Sequence, residues 1–373
     1  MPLIEPEFMT LTRDLDPEAF WAENRHCSRL DEAKPRCALG GVGSDDHWIF
    51  EFMQVPSTLR YYRDKSYRDD LHRQTNDLMW EHLRVRPHDE DTWENAPKRI
   101  ENLFGCEFAY HEGGTPWFVP VCDDPVEFAR ILDRAEGIDI DAWALPEPFL
   151  AEWDARRATG KPLPKLGGGS RGPATVITSV LDPQVALLWC YDEPDLMDRF
   201  ARILTQGYLR LNRRLRAFSG FSGTAWWITD DNCCLFNAKQ YRRFCMPVLR
   251  AVLDEFAPLP GGRRYQHSDS AMAHHLDAQR ELGIDSVNYG PTIDPALIRA
   301  RIPDAVINGH IPPFLLRNGS PEEIRARVRS DFTKVGAGGR LVIATAGSIP
   351  AGTGIGRLRW LMECVRTETR YGG

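Results

Sequence analysis

The chain has 373 residues, of which 42% are hydrophobic and 27% charged, and its formal net charge is -7. A chain of this length and composition can bury a large core without disulfides. An acidic surface argues against nucleic acid or an anionic membrane as the main partner, because both are polyanions. We therefore expect a globular protein. The net charge says little about a small-molecule pocket, where local charge decides.

The first residues and the cysteines indicate the cellular compartment of the protein. No stretch approaches about 18 uninterrupted apolar residues, so we expect no membrane span. Residues 1–7 carry acids and prolines, whereas a signal peptide needs a basic segment followed by an apolar one. The nine cysteines are an odd number and are scattered, with Cys233-Cys234 the only close pair. This pattern favours reduced thiols in a cytoplasmic protein.

The first half of the chain is predicted to be mainly helical. Asp16-Pro17-Glu18 can start a helix, with proline in the first turn and acids near the positive end of the helix dipole. In chain order, we predict an N-terminal helical extension over 1–36, a buried strand over 37–43 that opens into a polar loop, helices within 57–103, a short strand over 118–121 and a glycine-rich loop or strand entry over 160–171.

Short apolar strands alternate with amphipathic helices in the second half. The predicted strands are 174–180, 224–229, 264–267, 286–289, 305–309 and 340–344. Such an alternation is typical of parallel βαβ units. Six units and the two earlier strands make eight, so we predict one (β/α)₈ TIM-barrel domain over 1–373. A doubly wound sheet is the alternative.

Polar residues follow the predicted strands, at the end where barrel enzymes place their chemistry. The catalytic candidates are His267, Asp231 and Asp230; the substrate-binding candidates are Asp46, His47, Glu51, Trp227, Asn288, Tyr289 and His310; Asp45 and Asp269 lie in the same loops. Structural roles compete with these predictions, since the aspartates could cap a helix and the histidines could be satisfied within the barrel. Cys233-Cys234 is expected to pack rather than to ligate.

Several segments in a fixed order resemble the uroporphyrinogen decarboxylase superfamily. They are the Gly-Pro-x-Thr entry at 172–175, Thr229-Asp230-Asp231, the Tyr-x-x-Phe-x-x-Pro helix at 241–247, the turn His267-Ser268-Asp269, the segment 308–313 and the helix start at 317–324. The similarity covers roughly residues 170 to 370 well and the N-terminal part loosely. It implies a TIM-barrel enzyme.

Two chemistries are known in that superfamily, and the decarboxylase fits this sequence less well. Decarboxylases hold an acidic tetrapyrrole with arginines in an N-terminal loop, where this chain has Asp45 and Asp46. Acids there would repel a substrate with many carboxylates. Ser179 stands where the decarboxylase has a tyrosine, and Ala346 stands where it has a histidine.

The second chemistry is methyl transfer with a corrinoid supplied by a partner protein. Those methyltransferases often bind zinc through a His-x-Cys turn and a later cysteine. Here His267 is kept, Asp269 occupies the first cysteine position and Ala346 the second. The resemblance therefore implies that His267 and Asp269, with Asp230 or Asp231 nearby, either hold a divalent metal, most simply zinc, without thiolates, or act as acid and base. It also implies demethylation of a small methylated substrate such as an aromatic ether.

Three functions follow from these observations. The first is corrinoid-linked methyl transfer, the second is a lyase of the decarboxylase type acting on a carboxylated substrate, and the third is a non-catalytic barrel that binds a ligand. A small-molecule substrate is common to the first two, and a corrinoid protein is the partner that the first one needs. The sequence leaves a homodimer open.

Overall fold

Short strands separated by helices run through the chain. The computed structural model describes residues 4–29, 33–42 and 46–372. The strands are β1 (Ala38–Leu39), β2 (Phe108–Ala109), β3 (Trp117–Phe118), β4 (Gly169–Arg171), β5 (Ala225–Thr229), β6 (Arg263–Ser268), β7 (Ser286–Tyr289), β8 (Val306–Asn308) and β9 (Leu341–Ile343).

Helices fill most of the remaining chain. The α-helices are α1 (Pro6–Leu11), α2 (Pro17–Cys27), α3 (Asp46–Phe52), α4 (Thr58–Arg63), α5 (Lys65–Leu83), α6 (Pro125–Gly137), α7 (Ile140–Trp143), α8 (Glu147–Ala158), α9 (Pro173–Val180), α10 (Pro183–Asp192), α11 (Pro194–Ser219), α12 (Ala238–Gln240), α13 (Met246–Phe256), α14 (Leu276–Glu281), α15 (Pro295–Arg301), α16 (Pro313–Asn318), α17 (Pro321–Val335) and α18 (Ile355–Glu368). Short 3₁₀ helices span Ile100–Phe104, Asp231–Leu235 and Ala273–His275, and a π-helical turn spans Tyr241–Cys245.

Helix starts follow the predicted capping chemistry. Asp16 accepts hydrogen bonds from the backbone N–H groups of Glu18 and Ala19, and Pro17 occupies the first helical position of α2. Ser320 and Glu323 form a reciprocal capping box at the start of α17. The predicted helical extension is confirmed in α1 and α2, and the helix start resembling the superfamily is confirmed in α17.

The chain divides into two compact units. The first contains Met1–Thr92, Tyr110–Thr115 and Ser286–Gly373, and the second contains Trp93–Ala109 and Pro116–Asp285. Since each unit is assembled from more than one stretch of chain, sequence position alone does not delimit them. The prediction of one barrel domain over 1–373 stays a prediction.

Parallel strands form the centre of each unit. In the first unit, β8 pairs with β7 and β9, and β9 pairs with β1. In the second unit, β5 lies between β4 and β6 in parallel register. The side chains of β5 alternate as expected, because Trp226 and Ile228 are buried whereas Trp227 is 48% exposed. Trp226 stacks on Phe256 of α13 with ring centroids 4.9 Å apart.

Two of the predicted strands are wrong. Residues 174–180 form the helix α9, and the strand that precedes it is β4, inside the glycine-rich segment. Every residue of α9 is buried, so its β-branched composition reflects burial instead of strand geometry. Of residues 118–121, only Phe118 belongs to a strand, and β3 pairs antiparallel with β2 outside the parallel strands. The described residues therefore contain seven parallel strands, not eight.

The described helices fall short of a membrane span in length or in apolarity. No single one of them is long and apolar enough to cross a membrane. The pair α9 and α10 meets the criteria only jointly, and the two helices are bent by 101°.

Candidate active site

The ends of β5 and β6 bring three predicted site residues together in the second unit. Thr229 of β5 is the register partner of His267 of β6. Asp231 follows β5 by two residues, and Asp269 directly follows β6. Because adjacent parallel strands end at the same edge of a sheet, their following residues meet there.

The three side chains form a tight polar cluster, called the Asp-His-Asp cluster below. His267 Nε2 lies 3.6 Å from Asp231 Oδ1, which also accepts a 3.1 Å hydrogen bond from the Asp269 backbone N–H. One ligand atom of each of Asp231, His267 and Asp269 lies within 4.8 Å of the other two. The Asp231 side chain is 43% exposed and the His267 side chain 22% exposed, so a ligand can reach both.

The electrostatics of the cluster favour a cation or a proton. Burial, and next the neighbouring Asp269 carboxylate, raise the pKa of the Asp231 carboxyl, while His267 opposes this effect. Two carboxylates at close range bind a proton more tightly than either does alone. A divalent cation placed between the two carboxylates would likewise offset the repulsion between their charges.

The donor set of the cluster fits a divalent metal. One imidazole nitrogen and two carboxylate oxygens belong to the ligands that zinc accepts, and three protein ligands leave a position for substrate. Thiolates do not contribute, because Cys233 is buried with its Sγ 3.7 Å from the Ser268 hydroxyl. This is the packing role that the sequence predicts for Cys233.

Asp230 is adjacent to Asp231 in sequence, but its surroundings differ from those of the Asp-His-Asp cluster. Its side chain is fully buried, and Oδ1 accepts hydrogen bonds from Thr175 N at 2.8 Å and Thr175 Oγ1 at 2.9 Å. Burial raises the pKa of Asp230 to about 7, against the opposing effect of the Thr175 bonds. The carboxylate thus caps the first turn of α9. The predicted catalytic role of Asp230 stays a prediction, although its side chain has no exposed surface.

Another group of predicted residues meets in the first unit. Asp46 accepts hydrogen bonds from the Tyr61 hydroxyl at 2.9 Å and from the Tyr62 hydroxyl at 3.1 Å. His47 Nε2 lies 2.6 Å from the Thr115 hydroxyl, and Glu51 Oε1 lies 3.9 Å from Arg317. Asp45 lies outside the described residues.

The remaining predicted residues of the first unit support the backbone. Asn288 Nδ2 donates to the carbonyl oxygens of Asn308 at 2.5 Å and Thr345 at 3.0 Å. His310 is fully buried, and its Nε2 lies 2.5 Å from the Ile293 carbonyl oxygen. Tyr289 is 1% exposed. Their predicted contact with a substrate stays a prediction, but their side chains are directed into the protein interior.

Comparison with known proteins decides the family. A family model described as uroporphyrinogen decarboxylase (URO-D) matches residues 100–368. The chain belongs to the uroporphyrinogen decarboxylase family. The URO-D fold is a TIM barrel, so the predicted α/β barrel class and the stated resemblance are both confirmed.

A solved structure with a similar fold superposes on nearly the whole chain. It is a methyltransferase from Methanosarcina mazei, which is 16% identical and superposes with a TM-score of 0.58. The alignment covers 92% of this chain and 96% of that chain, and it shows the same fold. No curated protein matches the chain.

Proposed function

We propose that this URO-D protein is an enzyme that transfers or removes the methyl group of a small methylated substrate, with a corrinoid protein as its partner. The observation that carries the proposal is the Asp-His-Asp cluster at the ends of β5 and β6. Membership of the URO-D family and the likeness to a protein named as a methyltransferase support it. The corrinoid partner and a cytoplasmic location are parts of the proposal that rest on the sequence.

The chain's own residues would hold the reacting groups in place. Asp231, His267 and Asp269 would bind a divalent metal, most simply zinc. Such an ion would supply Lewis acidity at the oxygen that loses its methyl group. Asp230 acts as a positioning residue, because it ties the loop after β5 to α9 through Thr175. The corrinoid of the partner would accept the methyl group.

The lyase alternative rests on the family name and finds less support at the site. Ser179 is buried in α9, and its hydroxyl donates to the Thr175 carbonyl oxygen at 2.7 Å. Ala346 is 1% exposed. Neither residue can replace the tyrosine or the histidine that the resemblance assigns to a decarboxylase.

Metal analysis of the purified protein tests the proposal first. We expect about one equivalent of divalent metal in the wild type, retention in His26→Ala, and loss in His267→Ala and Asp269→Asn. His26 is an exposed histidine at the end of α2 and serves as the matched control. If the metal content is zero in all samples, or equal in all of them, the metal-assisted mechanism is wrong.

Methyl transfer itself is measured with a corrinoid protein and a set of methylated substrates. We expect demethylation that depends on His267 and that a chelator abolishes. Decarboxylation of a carboxylated substrate without methyl transfer would support the lyase instead.

A further inference from the structure

A cavity of about 430 Å³ lies beside β4 and β5 in the second unit. Its apolar wall is formed by Ile100, Leu211, Leu215 and Trp227. Cavities of this size hold small organic ligands when a few polar groups accompany such a wall. Trp227 is the one residue of the cavity lining that also belongs to the predicted site residues.

One glycine shapes the aromatic part of the wall. A Cβ atom on Gly169 would lie 2.2 Å from the Trp227 ring, so the indole can lie flat on β4 only because residue 169 has no side chain. Trp227 is nonetheless 48% exposed. A large exposed indole held in place by the backbone offers a stacking surface for a planar ligand.

The polar part of the wall is cationic. Lys98, Arg99 and Arg171 line the cavity, and Glu101 is the one carboxylate among its lining residues. Glu101 is 1% exposed and accepts a 2.7 Å hydrogen bond from Arg171 Nη1. The other terminal nitrogen of Arg171 is buried and has no hydrogen-bond partner among the described residues. Arg171 also lies over the Trp117 ring at 4.7 Å, which fixes its guanidinium.

Lys98 is a second cationic residue of the cavity lining. Its ammonium has no hydrogen bond or ion pair within residues 4–29, 33–42 and 46–372. Three cations against one carboxylate leave the cavity with a positive charge, although the whole chain is acidic. An anion is the ligand group that satisfies both the free Arg171 nitrogen and Lys98.

Strand register places this cavity next to the Asp-His-Asp cluster. Arg171, Thr229 and His267 are register partners on three adjacent strands. Gly169, Trp227 and Tyr265 are the register partners two residues earlier on the same strands. Adjacent strands lie about 4.8 Å apart, so the backbones of Arg171 and His267 are separated by roughly 10 Å. A small ligand anchored at Arg171 can therefore extend toward His267.

We infer that the cavity binds the body of the substrate, and that the substrate is a small aromatic carboxylate carrying the methyl group. Its ring stacks on Trp227, and its carboxylate pairs with Arg171 and Lys98. This inference rests on the proposed function, since it assigns the reacting end of the same substrate to the Asp-His-Asp cluster.

Calorimetric titration of the full chain with two probes tests the inference without any methyl transfer. The probes are para-methoxybenzoate and para-methoxybenzamide, which share a shape but differ in charge. We expect the acid to bind at least about tenfold more tightly than the amide, the discrimination that one charge-assisted hydrogen bond provides.

Variants locate the binding. Lys98→Gln should weaken acid binding about tenfold and leave amide binding unchanged. The double variant Glu101→Gln, Arg171→Gln removes the buried ion pair without stranding either charge, and it should abolish the preference for the acid. Trp227→Leu should weaken both probes. Arg250→Gln, at an exposed arginine of α13, is the matched control and should bind both probes like the wild type.

The outcomes separate this inference from the proposed function. Equal binding of acid and amide, or an unchanged preference in Lys98→Gln with circular dichroism like the wild type, would overturn the cavity assignment. Tight, Lys98-dependent acid binding without methyl transfer would support the cavity and overturn the proposed function.

Discussion

At the scale of single residues, the Tyr61 hydroxyl connects two polar side chains by hydrogen bonds. His72 Nδ1 lies 2.5 Å from the Asp89 carbonyl oxygen, so this nitrogen must carry a proton. His72 Nε2 lies 2.7 Å from the Tyr61 hydroxyl, which itself donates to Asp46. Tyr61 thereby links the buried His72 ring to the Asp46 carboxylate, which is predicted to bind substrate.

Tyr61→Phe tests this link. The substitution leaves both His72 and Asp46 without their shared partner, and we expect the free energy of unfolding to fall by about 1–3 kcal/mol. Tyr62→Phe removes a single, more exposed hydroxyl from the same carboxylate and should cost less than about 1 kcal/mol. Urea unfolding of both variants measures the difference. Equal losses would mean that the His72 contact contributes nothing.

At the scale of elements, the helix α9 depends on a residue outside it. Thr175 N is one of the first-turn donors that lack an intrahelical partner, and Asp230 from the loop after β5 accepts from it. Gly172 allows this approach, because a Cβ atom there would lie 2.3 Å from Asp230 Cβ. The start of α9 and the end of β5 are therefore held together by one carboxylate.

Substitutions at Asp230 should separate hydrogen bonding from charge. Asp230→Ala strands two buried donors of Thr175 and should lower the free energy of unfolding by about 2 kcal/mol or more at neutral pH. Asp230→Asn keeps an oxygen acceptor and should stay within about 1 kcal/mol of the wild type. Asp182→Ala, which removes the exposed cap of α10, is the matched control and should cost about 1 kcal/mol. If Asp230→Ala costs no more than the control, α9 does not depend on this cap.

At the scale of the whole molecule, buried groups give opposing dependences of stability on pH. Burial lowers the pKa of His275 and His310 to about 4, so the unfolded chain binds more protons below its ordinary histidine pKa and stability falls on acidification. Burial raises the pKa of Asp230 to about 7, so its contribution is present below the unfolded pKa and is lost as the pH rises through about 7.

Removing the Asp230 carboxylate, one of the groups that oppose the histidines, should make the loss of stability on acidification larger. Between pH 7 and pH 5, each of the two histidines should cost about 2 kcal/mol, while Asp230 offsets a similar amount in the wild type. Asp230→Asn should therefore lose roughly 2–3 kcal/mol more than the wild type over this interval. Urea unfolding at both pH values measures this. Parallel pH profiles for the two proteins would contradict the compensation.

The sequence by itself determined the alternation of strands and helices in the second half, the helix caps and the order of the family motifs. These features depend on residues that are near one another in the chain, such as Asp16 with Glu18 or Ser320 with Glu323. The proximity of Asp231 to His267 and Asp269 could also be predicted from the sequence, since all three lie at the ends of adjacent predicted strands. Local periodicity and strand ends carry that information.

Tertiary structure alone decided the rest. The helical state of 173–180 depends on the complete burial of α9 and on a cap supplied 55 residues later, which local composition cannot reveal. The same contact holds the Asp230 carboxylate against Thr175 in the protein interior, whereas Asp231 reaches the surface. The cationic cavity is assembled from Lys98, Arg171 and Trp227, three residues with no common motif. Charge and shape at such a site arise only when distant segments pack together, so the pattern of any one segment could not predict it.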